Sequence, residues 1–326
     1  MQVFPVFLPL KGCPFRCIYC DQYLITGSDH FDLDEHLQDI ENFCKIHWEE
    51  EKEIAFFGGT FTALDLEWQE EQFLKLAHLI DEKTGIRYST RPDCLSQSDL
   101  DLAKKYGVRT IELGIQDFSD QVLKQSKRGY NQETALAACR LIKGNDFKLG
   151  IQIMPGLPAF SDESLEETRK LIVDIKPNFV RIYPTLVLKG TKLADLYHTG
   201  EYEALELEEA IEICVDLYQE FTSHNIIVIK MGVQIDSIDI SAILAGPYHK
   251  AFGELVQAHL LINEINKQIS QEATEVEIKI SKYDISKLRG HSNYGLNLLQ
   301  EKHPTKIIKL TVDTDAVQSN IRINSK

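Results

Sequence analysis

The sequence predicts an α/β fold in which short strands and helices alternate along most of the chain. Seven short runs rich in β-branched and aromatic residues are separated by stretches of helical periodicity, which is the pattern of a parallel βα series. With 326 residues, the chain is long enough for one large domain with an appendage or for two medium domains. Such a series forms a barrel or an open doubly wound sheet. In a barrel, the chemistry lies on loops at the carboxyl ends of the strands.

The individual elements follow from the periodicity of apolar residues and from local capping signals. The predicted strands cover residues 3–8, 53–57, 86–90, 109–115, 148–154, 178–183 and 226–230. The predicted helices cover residues 34–48, 67–81, 98–106, 132–143, 163–175 and 206–224. Ser161 precedes the fifth of these helices as an N-terminal cap, and Pro177 follows it as a stop signal.

The alternation changes after residue 235. The sequence there predicts a helix over 248–268, a strand over 275–281, a helical or irregular stretch over 285–299 and a strand over 306–312. We therefore expect a first domain over residues 1–235. Residues 236–326 are expected to form a smaller α/β extension that covers the mouth of the barrel.

Composition favours a compactly folded cytoplasmic protein. Hydrophobic residues make up 43% of the chain and charged residues 26%, which excludes the disordered, collagen-like and coiled-coil classes. No apolar run approaches the roughly 18 residues of a membrane span, and the N-terminus lacks the basic start of a signal peptide. The 50 acidic against 35 basic residues disfavour nucleic acid as a partner, because Lys and Arg supply most of the affinity for phosphates. A local basic groove would still permit RNA binding.

Three of the seven cysteines lie close together directly after the first predicted strand, with the spacing Cys13-x3-Cys17-x2-Cys20. Thiolates at such short intervals can hold one soft metal centre. A structural zinc site needs four ligands, and the nearest histidine, His30, stands at no standard interval. Three thiolates suit a 4Fe–4S cluster with one iron left open. The alternative is a set of inert, buried cysteines beside a turn.

The cysteine spacing, with an aromatic residue at Tyr19 before the last cysteine, resembles the signature of the radical S-adenosylmethionine (SAM) superfamily. This resemblance implies a 4Fe–4S cluster held by Cys13, Cys17 and Cys20, with SAM chelated at the open iron. It also implies cleavage of SAM to a 5′-deoxyadenosyl radical that abstracts hydrogen from a substrate. The fold it implies is a partial (β/α) TIM-like barrel with a smaller C-terminal α/β extension.

Several other stretches fit the same superfamily pattern, and they lie at residues 56–62, 111–116, 127–130, 154–158 and 181–185. Together they resemble the radical-SAM half of the elongator-complex catalytic subunit and its smaller bacterial relatives, over roughly residues 1–235. The oxygen-independent coproporphyrinogen oxidases are more distant. The acetyltransferase domain of the elongator subunit has no counterpart after residue 235.

The resemblance implies cofactor-binding roles for Tyr19, Gly58, Gly59, Thr60, Ser89, Gln116, Arg128, Gln152 and Tyr183. Arg128 is expected to pair with the SAM carboxylate, Gln116 and Gln152 to bond the ribose or methionine, and both tyrosines to border the adenine. Ser89 stands where relatives carry Glu, and Gln152 where relatives often carry His or Asp. A buried ion pair is an equally favoured interpretation of Glu112 and Arg181.

Substrate contacts are expected from residues near the barrel mouth. Lys230 ends the last predicted strand and is the candidate catalytic residue, although a solvated strand end is the alternative. The candidate substrate-binding residues are Asp21, Gln22, Tyr23 and Asp236. Carboxylates among them could accept the N–H groups of a guanine-like edge.

Two function classes remain open alongside a non-catalytic Fe–S module. One is a stand-alone radical enzyme for a free small molecule, with a flavodoxin or ferredoxin as electron donor. The other is a tRNA-modifying enzyme without the acetyltransferase domain. The acidic charge favours the first. Within it, the overall resemblance is to queuine lyase, which implies carbon–nitrogen cleavage of queuine to 7-aminomethyl-7-deazaguanine.

Overall fold

A computed structural model describes residues 1–8, 11–21, 24, 30–233, 240–315 and 321–325 of the chain. The chain divides into two compact units. The first, called the barrel unit, comprises Met1–Glu206 and Glu220–Tyr248, and the second comprises Leu207–Gln219 and His249–Lys326. The helix Leu207–Ser223 contributes residues to both units. The assignment of separate roles to residues 1–235 and 236–326 stays a prediction.

The barrel unit is built on a curled parallel sheet. Its strands are β1 (Gln2–Phe7), β2 (Lys52–Phe57), β3 (Thr84–Thr90), β4 (Val108–Gln116), β5 (Lys148–Ile153), β6 (Phe179–Ile182), β7 (Val187–Leu188), β8 (Ile227–Met231) and β9 (Ile243–Ala245). Seven of them pair side by side in the order β1-β2-β3-β4-β5-β6-β8, and all of these neighbours are parallel. In the described residues β1 and β8 do not pair with each other, so the barrel is open. The predicted α/β partial barrel is confirmed.

Helices connect the strands of the barrel unit and cover the sheet. They are α1 (Leu37–Ile46), α2 (Leu66–Leu76), α3 (Gln97–Lys105), α4 (Asp120–Gln125), α5 (Gln132–Gly144), α6 (Asp162–Ile175), α7 (Lys192–Thr199) and α8 (Leu207–Ser223), the last shared with the second unit. The Ser161 hydroxyl accepts the backbone N–H of Ser164 and caps α6 as predicted. Lys176 ends that helix in the left-handed conformation, and Pro177 prevents its continuation.

Alternation along the strands separates the apolar core from the polar interior of the half-barrel. Ile111, Leu113 and Ile115 of β4 are fully buried apolar residues. Glu112, which lies between two of them, points to the opposite face because successive side chains of a strand alternate. The same alternation in neighbouring strands places charged and polar side chains together inside the half-barrel.

The second unit is a smaller α/β body with its own apolar core. Its further elements are α9 (Phe252–Asn266), β10 (Glu275–Ser281), α10 (Ile285–Arg289), α11 (Tyr294–Lys302), β11 (Ile307–Asp313) and β12 (Ile321–Ser325). Strand β10 pairs parallel with β11 and antiparallel with β12. The stretch predicted as helical or irregular forms two helices with a break at Gly290. No helix within the described ranges has the length and apolar character needed to span a bilayer.

Candidate active site

The three thiols lie in the loop that follows β1, called the cysteine loop (residues 11–21). Cys13, Cys17 and Cys20 are thiols that form no disulfide, and each is partly buried. Within the loop, the backbone N–H of Cys20 donates to the carbonyl of Cys17 at 3.2 Å. The backbone N–H of Leu193 donates to the carbonyl of Ile18 at 2.8 Å and ties the loop to α7. The thiols are therefore presented by a fixed turn.

The spread of these thiols is wider than a single zinc ion requires. Sulfur ligands about 2.3 Å from a tetrahedral zinc lie about 3.8 Å from one another. Among the described residues, the three ligand atoms that all lie within 4.8 Å of one another belong to His30, Asp32 and Glu35 rather than to the cysteine loop. The three thiols, as the structure places them, are therefore farther apart than the ligands of one bound zinc ion.

The glycine-rich turn after β2 packs directly on the cysteine loop. A Cβ atom on Gly59 would lie 2.4 Å from the carbonyl oxygen of Lys11, so only glycine permits this approach. Thr60 donates its backbone N–H to that same carbonyl at 3.0 Å, and its hydroxyl lies 3.3 Å from Cys13 Sγ. The turn thus positions Cys13. The contact of residues 58–60 with SAM stays a prediction.

Arg128 is the centre of the polar contacts around the cysteine loop and is only 4% exposed. Its Nη1 donates to Cys17 Sγ and to the Tyr19 hydroxyl, both at 3.0 Å. Its Nε and Nη2 donate to the Tyr130 hydroxyl at 3.1 and 2.9 Å, and Nη2 also donates to the carbonyl of Gly114. These bonds use all five N–H groups of the guanidinium. To bind the SAM carboxylate, Arg128 would have to give up one of these hydrogen bonds. The contact between Arg128 and SAM stays a prediction.

Arg91 is a second guanidinium beside Cys17. Its Nη1 lies 3.7 Å from Cys17 Sγ, and its Nε and Nη2 each donate to the Asp93 carboxylate at 2.9 Å. The rings of Phe15 and Tyr130 lie 5.2 and 5.3 Å from the Arg91 guanidinium. We define the loop network as the side chains that surround Cys17, namely Cys17, Tyr19, Arg91, Asp93, Arg128 and Tyr130.

The loop network carries one positive charge more than its carboxylate balances. Asp93 pairs with Arg91, and no carboxylate of the described residues lies within ion-pair distance of Arg128. Burial on its own raises the pKa of the Cys17 thiol, but the charges of Arg128 and Arg91 outweigh it and lower that pKa below its usual value. A buried cation without an anion is costly, so this arrangement favours negative charge at Cys17.

A second charged group lies on the strands inside the half-barrel. Glu112 is fully buried and accepts from Arg87 Nη1 at 2.8 Å, Arg181 Nε at 2.8 Å and Gln152 Nε2 at 3.0 Å. Arg87 Nε also donates to Glu53 at 2.7 Å. We define these five residues as the strand network. Its two carboxylates balance the charges of its two guanidiniums. Glu112 and Arg181 form an ion pair, which was one of the two interpretations of these residues from the sequence.

Three predicted SAM-binding residues belong to the strand network or contact it. The Gln152 amide nitrogen lies 3.4 Å from Ser89 Oγ, in addition to its bond to Glu112. Arg181 Nη1 donates to the Tyr183 hydroxyl at 3.5 Å, and burial raises the pKa of that phenol, which stays protonated. The structure therefore brings Ser89, Gln152 and Tyr183 into one polar strip, which is joined by Glu112 and Arg181.

Gln116 occupies a strained position at the end of β4. Its φ is +77°, in the region that non-glycine residues rarely adopt, and the register with β5 shifts between Gly114 and Gln116. In the described structure its Oε1 atom is buried without a hydrogen-bond partner. Both features cost free energy and cluster at ligand sites. They support the expectation that a ligand donates a hydrogen bond to Gln116.

The predicted substrate contacts are only partly described. Three of the residues involved lie outside the described residues: Gln22, Tyr23 and Asp236. Asp21 accepts the backbone N–H of Leu24 at 3.1 Å. Lys230 is half-buried on β8 and lies opposite Arg181 in the register with β6. The structure thus places Lys230 at the edge of the strand network, and its catalytic role stays a prediction.

The comparison with family models decides the classification. Residues 7–172 match the radical SAM superfamily, and residues 177–261 match the radical SAM C-terminal domain. The chain is a member of the radical SAM superfamily. Members use a 4Fe–4S cluster and SAM, which are therefore the cofactors of this enzyme.

Curated relatives share part of the chain. The tRNA uridine(34) acetyltransferase of Methanocaldococcus infernus is 33% identical over 245 residues, which cover 62% of this chain and 46% of that protein. Elongator complex protein 3 of Saccharomyces cerevisiae is 29% identical over 49% of this chain and 33% of its own length. Protein YtqA of Bacillus subtilis is 27% identical over 63% of this chain and 64% of its own. The chain spans about half the length of the archaeal acetyltransferases that it matches.

Solved structures share the fold. The archaeal Elp3 of Methanocaldococcus infernus superposes with a TM-score of 0.61 at 26% identity and covers 81% of this chain and 63% of that one. Coproporphyrinogen III oxidase from Escherichia coli superposes with a TM-score of 0.51 at 18% identity, over 68% of this chain and 52% of that one. The second likeness concerns the fold alone.

The residues present fit the cofactors of the superfamily. The excess positive charge of the loop network suits an anionic centre with thiolate ligands at the cysteine loop. The unpaired Gln116 oxygen suits a donor group of SAM. Arg91 and Asp93 were not predicted as site residues from the sequence. Their position directly after β3 could have indicated them, because side chains at the carboxyl end of a barrel strand face the site.

Proposed function

We propose that this radical SAM enzyme acts on a free molecule of nucleobase size, and that its reaction is carbon–nitrogen cleavage of queuine to 7-aminomethyl-7-deazaguanine. The observation that carries the substrate class is the formal charge of −15. An acidic surface repels the phosphate backbone of RNA but does not hinder a small polar base. Asp21 in the cysteine loop and Lys230 on β8 offer the few polar groups that a substrate of that size needs.

The cofactor contacts of the proposal follow from the cysteine loop. Cys13, Cys17 and Cys20 would hold the cluster, and Arg128 and Arg91 would stabilise the thiolate of Cys17. When bound, the two cofactors supply one-electron cleavage of SAM to methionine and a 5′-deoxyadenosyl radical. Gly58, Gly59, Thr60 and Gln116 would contact SAM, together with Tyr19, Ser89, Arg128, Gln152 and Tyr183.

The substrate contacts of the proposal come from the cysteine loop and from the end of β8. The Asp21 carboxylate is an acceptor that matches the N–H groups of a guanine-like edge. Lys230, at the edge of the strand network, would hold or move a proton on the substrate. Gln22, Tyr23 and Asp236 remain proposed substrate contacts that lie outside the described residues.

A tRNA-modifying reaction is the second candidate. It is favoured by the relatives, which are named tRNA uridine(34) acetyltransferase and elongator complex protein 3. Since the chain covers only part of each relative, their whole activity does not transfer with the similarity. The charge balance of this chain argues against it, because a tRNA enzyme depends on basic surface for affinity.

The two candidates separate in one anaerobic assay. We expect 5′-deoxyadenosine to form faster with queuine than with queuosine-containing tRNA, and a product with the mass of aminomethyl-deazaguanine. Lys230→Ala should reduce turnover with queuine more than it reduces SAM affinity, while Lys104→Ala, an exposed lysine at the end of α3, should leave both unchanged. Stimulation of 5′-deoxyadenosine formation by tRNA and not by the free base would support the second candidate instead.

A further inference from the structure

An open groove lies beside the cysteine loop on the surface of the barrel unit. Its volume is about 630 Å³, and its lining includes Phe15 from the cysteine loop, Lys124 from α4 and Lys127 from the turn after α4. Asp93 and Tyr130 of the loop network also line it. The proposed contacts with SAM and substrate do not account for this groove.

The groove is positively charged in a chain that is acidic overall. Lys124 and Lys127 are both exposed, and neither forms an ion pair within the described part of the chain. The charge of Asp93 is balanced by its two-point bond to Arg91. Arg16, also exposed, follows Phe15 in the cysteine loop. A protein with a formal charge of −15 therefore presents a local cationic surface at this point.

A short chain of contacts joins the groove to a cysteine thiol. The Phe15 ring is 47% exposed and lies 5.2 Å from the Arg91 guanidinium, which lies 3.7 Å from Cys17 Sγ. Gly129 has a φ of +81° and a Cβ there would lie 2.8 Å from the Phe15 ring, so glycine allows the ring to close over the site. Electron-transfer rates fall steeply with distance. The contacts from the groove through Phe15 and Arg91 therefore give an electron a short path to a cluster bound by Cys17.

We propose that the groove is the docking surface for a small, acidic, one-electron carrier protein that reduces the cluster. One electron leaves the reduced carrier and enters the cluster, so the carrier is oxidised by one electron. No bond forms or breaks at the interface, and no proton moves there. Redox partners typically form small interfaces, and complementary charge speeds their encounter. The proposal rests on a cluster at the cysteine loop and is independent of which substrate the enzyme uses.

The test uses the reconstituted holoenzyme with a purified acidic flavodoxin as the carrier. The variant is Lys124→Glu with Lys127→Glu. The matched control is Lys104→Glu with Lys148→Glu, two exposed lysines at the end of α3 and at the amino end of β5, neither of which lines the groove. We expect the variant to bind flavodoxin about tenfold more weakly at low salt, and the control to bind within about twofold of the wild type. The difference should shrink as salt screens the charges.

A second readout separates docking from damage to the site. With dithionite as a chemical reductant, 5′-deoxyadenosine formation should be the same in the variant and the wild type, while the flavodoxin-driven rate falls about tenfold. If the double reversal also lowers the dithionite rate, Lys124→Gln with Lys127→Gln should still weaken flavodoxin binding by a smaller factor. Unchanged flavodoxin affinity in either variant would overturn the proposal. Loss of tRNA binding with flavodoxin binding intact would also overturn it and assign the groove to RNA.

Discussion

The loop network and the strand network each contain two arginines in the same half-barrel, but the charges of these arginines are balanced differently. In the strand network, Arg87 and Arg181 share Glu53 and Glu112, so charge balances within the protein. In the loop network, Arg91 has Asp93, whereas Arg128 bonds a thiol, two phenols and a carbonyl. The charges of the strand network are therefore balanced without a cofactor, and those of the loop network are not.

A balanced, buried ion network is a structural device. The carboxylates of the strand network tie β2, β3, β4 and β6 together from inside, and removing one member leaves a buried charge unpaired. The loop network is unbalanced, since two guanidiniums face Cys17 and only one carboxylate opposes them. Such a site is suited to an anionic ligand. The strained backbone of Gln116 and its unpartnered side-chain oxygen also indicate a ligand-binding site.

Removal of a cysteine should have the largest effect. Replacing Cys13, Cys17 or Cys20 by Ala should abolish the visible absorbance and the iron content of anaerobically reconstituted protein, because each supplies one of three protein ligands. Replacing Cys139, a buried cysteine of α5, by Ala should leave both intact. A cluster that survives the loss of any one of these three cysteines would show that the cysteine loop does not supply the ligands.

Disruption of the strand network should mainly affect stability. Glu112→Gln leaves Arg87 and Arg181 with less counter-charge and should lower the free energy of unfolding by about 3–5 kcal/mol. Urea unfolding measures the change. The matched control, Glu133→Gln, removes an exposed ion pair with Arg140 and should cost less than about 1 kcal/mol. If the two variants lose the same free energy of unfolding, the strand network does not stabilise the fold more than an exposed ion pair does.

Disruption of the loop network should mainly affect ligand binding. Arg128→Ala should weaken SAM affinity by roughly 1.5–3 kcal/mol, the range for a charge-assisted hydrogen bond. Titration calorimetry on the reconstituted protein measures it, with Arg140→Ala, an exposed arginine of α5, as the control. If SAM affinity is unchanged and only iron content falls, Arg128 serves Cys17 and Tyr19 rather than the SAM carboxylate.

The fold was more accessible from the sequence than the site. Runs rich in β-branched and aromatic residues placed the seven strands of the barrel sheet to within about two residues, and β10 has the bounds that were predicted. Strands β7 and β9 have only two and three residues, which is too short for a pattern, and α4 and α7 were also missed. The loop network joins residues far apart in sequence, as in the bond between Arg128 and Cys17. Such contacts depend on how the strands curl, which local periodicity does not record.

We expect the cysteine loop to hold a cluster with one iron open to SAM. Electron paramagnetic resonance of the reduced, reconstituted protein, recorded with and without SAM, tests this expectation. The spectrum of a reduced 4Fe–4S cluster should change when SAM is added, in the wild type and in Cys139→Ala, and no such spectrum should appear in Cys17→Ala. A reduced cluster whose spectrum does not respond to SAM would contradict the presence of an open iron that binds SAM.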